Sequence, residues 1–328
     1  MAEKLIRNKN FLLIGFIILL LSPPLFVKDI YVMHLLNMIG IYSLHVMGLN
    51  LLVGFIGQFN LGQAGFYGLG AYTCTLLVMK VGLSFWISLV MAGMFTGLFG
   101  IFMGPILKLR GHILAMATIG FGEIIRLILL NWLALTNGPR GIVDIPPPTI
   151  GNLRLETPHS YYYLVIAWVI LCYFIVNRII NSRIGRAMRS IRDDEDAAEA
   201  IGVNVLKYKI ISLSIAAFFA GIAGALYAPL IGYLHPIIAH WDETVKIFTM
   251  VVIGGVGSMA GSILGAITLV VALEYLRVFE QYRLIVYAVL IATVLIFASK
   301  GLGGLIDRSL GFIRMKFYLI HKEPNSCD

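Results

Sequence analysis

Residues 31–56 run for 26 positions without a lysine, arginine, aspartate or glutamate. A hydrocarbon layer of about 30 Å takes roughly 20 residues of helix to cross, so this one stretch already points to a chain built for a bilayer. Comparable apolar runs recur at 11–27, 62–80, 83–108, 111–135 and 161–177, and again after residue 208. Only helices or closed barrels satisfy every backbone group in lipid, and runs of this length select helices. The composition agrees: 59% hydrophobic and 13% charged, with a mean hydropathy of +0.90, outside the usual range for soluble domains. The expected fold is an all-α polytopic membrane protein.

The longest polar interruption lies at 178–209. Arg178, Arg183, Arg186, Arg189, Arg192, Lys207 and Lys209 surround an acidic knot of Asp193, Asp194, Glu195, Asp196 and Glu199. Cytoplasmic loops carry the Lys/Arg excess. Six crossings before residue 178 return the chain to its starting side, where Lys4, Arg7 and Lys9 sit. Lys108 and Arg110, after the fourth span, fall on that side too. The net charge of +8 is thus a set of topology signals and headgroup contacts, not a nucleic-acid footprint.

Beyond residue 209 the basic tail demands an even number of crossings, and four are expected: 208–232, 245–256, 259–278 and 283–299. The second is too short for a regular span and ends in Ile253-Gly254-Gly255-Val256-Gly257-Ser258. Gly254, Gly255 and Gly257 are expected to break the helix there, which membranes tolerate only inside protein or beside a cavity. The reading is about ten transmembrane segments, one short or broken, with N- and C-termini cytoplasmic. Residues 1–328 form a single membrane-spanning domain, with 178–209 a loop within it and 309–328 a basic cytoplasmic tail. The N-terminus has the charge pattern of a signal peptide, but Pro23-Pro24 replaces a small-residue cleavage site, so 11–27 is expected to stay as the first span.

Glycine recurs at helical spacing: Gly93, Gly97, Gly100 and Gly104 on one face, Gly257, Gly261 and Gly265 on another. Ala217, Gly221, Gly224 and Ala228 make a third small stripe. Such stripes let helix backbones approach closely where apolar burial gains nothing over lipid; a sliding interface is the other reading. Between spans five and six, residues 136–160 are rich in Pro, Gly and Asn and cannot continue a helix. They are expected to face outward, as a cap over helix ends or as a recognition surface.

No catalytic constellation is present. GxxxxGK[ST], HExxH, GxSxG and paired-cysteine motifs are all absent, and Cys74, Cys172 and Cys327 have no metal-type spacing. The chain is therefore read as no enzyme, binding no cofactor and no metal. Polar residues at membrane depth are the informative ones. Glu123 and Arg126 fall one turn apart in the middle of span five, either as a self-neutralising clamp or as part of a path or gate. Gln58, Asn60 and Gln63 occupy a glycine-broken stretch between spans two and three, suited to a polar solute path or to satisfying helix ends.

The 178–209 loop has internal order. Ile184, Ala187 or Met188, and Ile191 recur at helical spacing, with Arg186, Arg189 and Arg192 on another face. Asp193 or Asp194 can cap a second short helix, Glu195–Ile201, which Gly202 ends. Exposed Ala197, Ala198 and Ile201 on that helix would suit insertion into the groove of a partner.

At this point a resemblance becomes specific. GQFNLGQAGFYGLGAY (57–72), LRGHILAMATIGFGEIIR (109–126), NGPRGI (137–142), RDDEDAAEAIGVN (192–204), AGIAGALYA (220–228) and VIGGVGSMAGSILGA (252–266) occur in order. Together they resemble the LivM-type permease family, the membrane subunits of branched-chain amino-acid ABC importers, and the closely similar urea-importer permeases. Asn60 stands where that family often has Ser, and Ser262 where it often has Pro.

The resemblance implies a permease in the plasma (inner) membrane of a prokaryote, paired with a second, related permease. Two cytoplasmic ATPase subunits, which use ATP and Mg, and an extracytoplasmic substrate-binding protein would complete the importer. It also implies that Asp193, Asp194, Glu195, Ala197, Ala198, Glu199, Ile201 and Gly202 make the helix that couples to the ATPase. Leucine, isoleucine and valine are the expected solutes, with urea or another small amide as the alternative. An ion-coupled secondary transporter using Glu123 is the reading from another class.

Overall fold

The computed structural model describes residues 23–150 and 153–275. The expected spans at 11–27 and 283–299, the basic residues of both ends and the 309–328 tail lie largely or wholly outside that range.

Helix α1 (Ile30–Asn50) starts on an Asp29 cap, whose side chain accepts from the Tyr31 N–H, and continues as a π-helical turn over Leu51–Ile56. At about 1.5 Å per residue the combined rod is about 40 Å long. From Ile39 to Ile56 every residue is buried, which makes this rod the central post of the bundle. Helix α2 (Gln63–Met79) rises beside it, followed by α3 (Phe85–Phe102) and α4 (Gly111–Asn131). Helix α5 (Pro158–Ile180) leads into two short helices, α6 (Arg183–Asp193) and α7 (Glu195–Ala200). Then come α8 (Val205–Ile231), α9 (Trp241–Gly254) and α10 (Met259–Tyr275). Five of these rods are long and apolar enough to cross a bilayer: Ile30–Ile56, α3, α4, α5 and α8.

The glycine stripes set the packing. A Cβ at Gly93 or Gly100 of α3, or at Gly104 in the turn after it, would meet Phe218, Ser214 or Ile210 of α8 at 2.8–2.9 Å, and at Gly100 the atom met is backbone, which cannot give way. On the opposite side of α8, Gly221 and Gly224 lie against Gly70 and the Tyr67 carbonyl of α2. Helix α8 is thereby wedged between α2 and α3 with backbone nearly touching backbone. Gly254, Gly261 and Gly265 do the same for α9 and α10. Dispersion between closely apposed backbones supplies the attraction that burial cannot give in lipid.

The expectation of an all-α chain needs one amendment. At the end of the bundle opposite α6–α7, two-residue ribbons form: β1 (Ile142–Val143) pairs with β4 (Tyr233–Leu234), and β2 (Thr149–Ile150) with β3 (Leu153–Arg154). Proline and glycine leave backbone groups here that a helix cannot satisfy, and short ladders satisfy them instead. The β1–β4 ladder ties the 136–160 segment to the segment entering α9.

Candidate functional site

Two polar regions stand out, one at the α6–α7 end and one at half depth. Ser182 caps α6 by accepting from the Ile184 N–H at 3.1 Å. Asp194, in extended conformation, caps α7 by accepting from the N–H groups of Asp196 (3.0 Å) and Ala197 (2.9 Å). Of the two expected caps, Asp194 serves and Asp193 ends α6. Helix α7 stops before Ile201, and Gly202 reverses the chain at φ +87°, where a side chain would be strained.

The exposure expected on α7 holds for two of three residues. Ala197 is exposed and Ile201 protrudes with 76% of its surface open, but Ala198 is 2% exposed and belongs to the core. Positions 197, 198 and 201 share an arc of about 100° on a helix, and the Ala198 edge of that arc turns inward, into the same core cluster as Met188 and Ile191. Ala198 is therefore a packing residue, not a docking one.

Helix α7 is held by ions from two different spans. Glu195 accepts from Lys209 Nζ of α8 at 2.7 Å and lies 3.4 Å from Arg110 Nε, just ahead of α4. Arg110 also donates to Asp196 at 2.9 Å. That hydrogen bond, followed by the Glu195 charge, raises the Arg110 guanidinium above its ordinary pKa. On α6, Arg189 donates to the Ile180 carbonyl at 2.6 Å, and Arg192 donates to the Gly54 carbonyl in the π-turn of α1. The pair is thus a rigid unit bolted to α1, α4, α5 and α8. Charge patterning in the loop made its helices legible; the partners Arg110 and Gly54 lie far away in sequence and were missed.

Arg192 also approaches Gly257, linking α6 to the break between α9 and α10. There α9 ends at Gly254, and Gly255 (φ +110°) and Gly257 (φ +88°) take backbone conformations open mainly to glycine. Asn50 holds the break. Its Oδ1 accepts from the Gly257 N–H at 2.8 Å, and its Nδ2 donates to the Ser258 carbonyl at 2.9 Å and Ser262 Oγ at 2.7 Å. Sequence reasoning passed over Asn50, although an asparagine in the middle of an apolar run is itself the signal. Ser262, where the related family often has Pro, is one of its partners.

At half depth, α1, α2 and α9 meet. Gln58 and Asn60 lie in the connection between α1 and α2, and Gln63 begins α2; all three are buried. Asn60 Oδ1 accepts from the Gly62 N–H, Leu61 N–H donates to Thr118 Oγ1, and Gln63 Nε2 donates to the Ala216 carbonyl. Both amide atoms of Gln58, Nδ2 of Asn60 and Oε1 of Gln63 have no partner within the described chain. His45 stacks on Tyr67 with ring centroids 4.9 Å apart and interacts with the Gln63 backbone, and the Tyr67 hydroxyl has no hydrogen-bond partner among the described residues. Buried polar groups are costly when left unpaired.

Helix α9 begins at the same depth. Thr244 Oγ1 caps α2 by accepting from the Ala64 N–H at 2.9 Å. Glu243 accepts from Tyr42 at 2.6 Å and from Lys246 at 2.5 Å. On α4, Arg126 grips Glu123 through two nitrogens, with Nε 2.8 Å and 2.9 Å from the carboxylate oxygens. A carboxylate clamped this way is a poor ion-linked switch, which weighs against the secondary-transporter reading. Among the described residues no hydrogen bond or ion pair joins Glu123 or Arg126 to Gln58, Asn60 or Gln63, although Gly122 packs against Gly62 and Gly65.

Long apolar rods, interrupted helices meeting at half depth and a helical unit strapped across one end define a polytopic helical membrane protein of transporter type. The chain belongs to the family described as the branched-chain amino acid transport system permease component, whose model matches residues 31–298. It is 37% identical over 286 residues to the high-affinity branched-chain amino acid transport system permease protein LivM of Escherichia coli (strain K12), covering 80% of this chain and 67% of that one. The Salmonella typhimurium LivM is equally similar, 37% over 290 residues, with 81% and 68% covered. The LivH permease protein named for the same E. coli system is 26% identical over 289 residues, 80% of this chain and 91% of that one. No solved structure matches.

Proposed function

We propose that this chain is the membrane-spanning permease subunit of an ATP-driven importer and forms part of the path for branched-chain or other aliphatic amino acids. The observation that carries the reading is the likeness to LivM over four-fifths of the chain. We read eight of the described helices as membrane segments: the five long apolar rods (α1 with its π-turn, α3, α4, α5 and α8) together with the shorter α2, α9 and α10. With 11–27 and 283–299 the count becomes ten, both termini are cytoplasmic, and the α6–α7 unit faces the cytoplasm.

In this reading the energy enters at α7. An ATPase subunit seats on Ala197 and Ile201, and closure of the ATPase pair on ATP and Mg pushes the rigid α6–α7 unit. The push reaches α8 through Lys209, α4 through Arg110, and the Gly54 turn and Gly257 break through Arg192. Those last two elements border the orphaned amides of Gln58, Asn60 and Gln63, which line the solute path from the α6 end inward. A substrate-binding protein delivers solute from the ribbon-bearing end, and a second permease completes the path. The membrane is the inner membrane of a prokaryote.

Reconstitution with the cognate partners tests this. ATP-dependent uptake of leucine, isoleucine and valine, with urea excluded, is the expected result; uptake of urea alone would reassign the solute to small amides.

A further inference from the structure

Charged and titratable side chains at half depth gather on one face, formed by α4 and the start of α9. Glu123 is the thirteenth residue of the 21 in α4, near the middle of its length. Glu243 is level with Tyr42, which donates to it and lies about 18 Å along the roughly 40 Å rod of α1. Around this level run Arg126 and Glu123, then His240, within electrostatic reach of Glu123, then Asp242, 3.2 Å from His240 Nδ1, and the Glu243–Lys246 pair. Several of these groups are open: the Asp242 side chain is 66% exposed and that of Glu123 37%. Beside them, Met116, Gly120, Ile124 and Leu127 make an exposed stripe on α4, and Trp241 extends it onto α9.

The other exposed faces differ in kind. The outer face of α3 presents Val90, Met94, Leu98 and Phe102, that of α5 Leu171, Phe174 and Ile175, with no charge among them. Those faces suit lipid. Open carboxylates in mid-bilayer do not, since ionisable side chains there turn to protein or to a water-lined cavity.

We infer that the α4–α9 face is where the second permease subunit docks, with Gly120 at the seam and Glu123, Asp242 and Lys246 turned toward the cavity between the two subunits. The occupant is a related but distinct permease, because two family members named for one E. coli system both match this chain. Gly120 is open, with nothing within 4 Å of the position its Cβ would take. A partner helix can approach the α4 backbone closely at that point. The inference rests on the paired-permease reading above.

The test uses the full importer in its native membrane. A photo-crosslinking amino acid replaces Ile124 or Trp241 on this face, and Leu98 or Phe174 on the lipid faces, with products identified by mass spectrometry. The expected result is crosslinks from Ile124 and Trp241 to a second family permease, and none from Leu98 or Phe174. Gly120→Leu, which the chain's own fold has room for, should insert at the wild-type level yet recover at least ten-fold less of the second permease. Crosslinks from Ile124 to a second copy, or to residues 1–22 or 276–328 of the same chain, would overturn the inference. So would pairing that Gly120→Leu leaves intact while Leu98 captures the partner. A wild-type chain that purifies with no second permease at all would instead sink the paired-permease reading itself.

Discussion

Lys209 Nζ lies 2.7 Å from Glu195 Oε1, with the lysine side chain only 7% exposed. Span α8 and helix α7 are thereby pinned together by an ion pair whose cation has almost no access to water. Removing one partner of such a pair strands the other, whereas removing both can be nearly neutral. Glu195→Ala should cost about 3 kcal/mol, and Glu195→Leu with Lys209→Met should recover most of it. Thermal unfolding of the purified importer in detergent checks the order. ATP hydrolysis that no longer drives uptake in the recovered double variant would show that the pair transmits motion as well as stability.

The division of labour around α7 predicts opposite phenotypes only three residues apart. Ile201→Arg changes a protruding residue and should abolish uptake and ATPase recovery while the permease inserts normally. Ala198→Arg forces a cation into a site 2% exposed, so the permease itself should be lost from the membrane. Quantitative membrane blots separate the two outcomes, and normal uptake by Ile201→Arg would remove α7 from the coupling path.

Asn50 holds both sides of the α9–α10 break with one side chain. Asn50→Leu leaves the Gly257 N–H and the Ser262 hydroxyl without that partner in a buried region, at a cost of about 2 kcal/mol for the backbone donor alone. Asn50→Asp keeps the acceptor but loses both donations and should fall between. Protease sensitivity of the 255–258 loop, compared across the three proteins, reports the loosening directly.

Gly70 and Gly221 meet backbone to backbone where α2 crosses α8. Gly70→Ala should therefore destabilise by about 1–3 kcal/mol through overpacking, despite the better helix propensity of alanine. Gly82, at φ +74°, has open space around it and tests the other cost, that of the left-handed backbone alone. Its alanine variant should lose about 1 kcal/mol and leave uptake unchanged.

The Arg126–Glu123 clamp predicts how uptake responds to ion gradients. Collapse of the proton or sodium gradient by an ionophore, at constant ATP, should leave uptake intact. Glu123→Gln should weaken the hold on Arg126 without converting the importer to another energy source. Uptake that follows the gradient and ignores the ATPase would restore the secondary-transporter reading.

Much of this protein is written locally. The charge-free run at 31–56, the glycine stripes, the cap at Asp194 and the stop at Gly202 are short-range signals, readable because helix periodicity and capping depend on residues a few positions apart. The family likeness is local in the same sense, a string of motifs in order. Contacts across 80 to 210 positions follow no such rule. Arg110 with Asp196, Arg192 with Gly54, Asn50 with Gly257 and Glu243 with Tyr42 each join segments that only the packed bundle brings together. The inward turn of Ala198 belongs to the same class, since which side of a one-turn helix is buried depends on what it rests against. By itself the sequence determined a helical membrane chain, the place of its breaks and the existence of a capped polar unit. Only the tertiary structure decided which spans that unit grips and which face leaves charge open at half depth, because in a bilayer those choices are made by close backbone packing rather than by hydrophobicity.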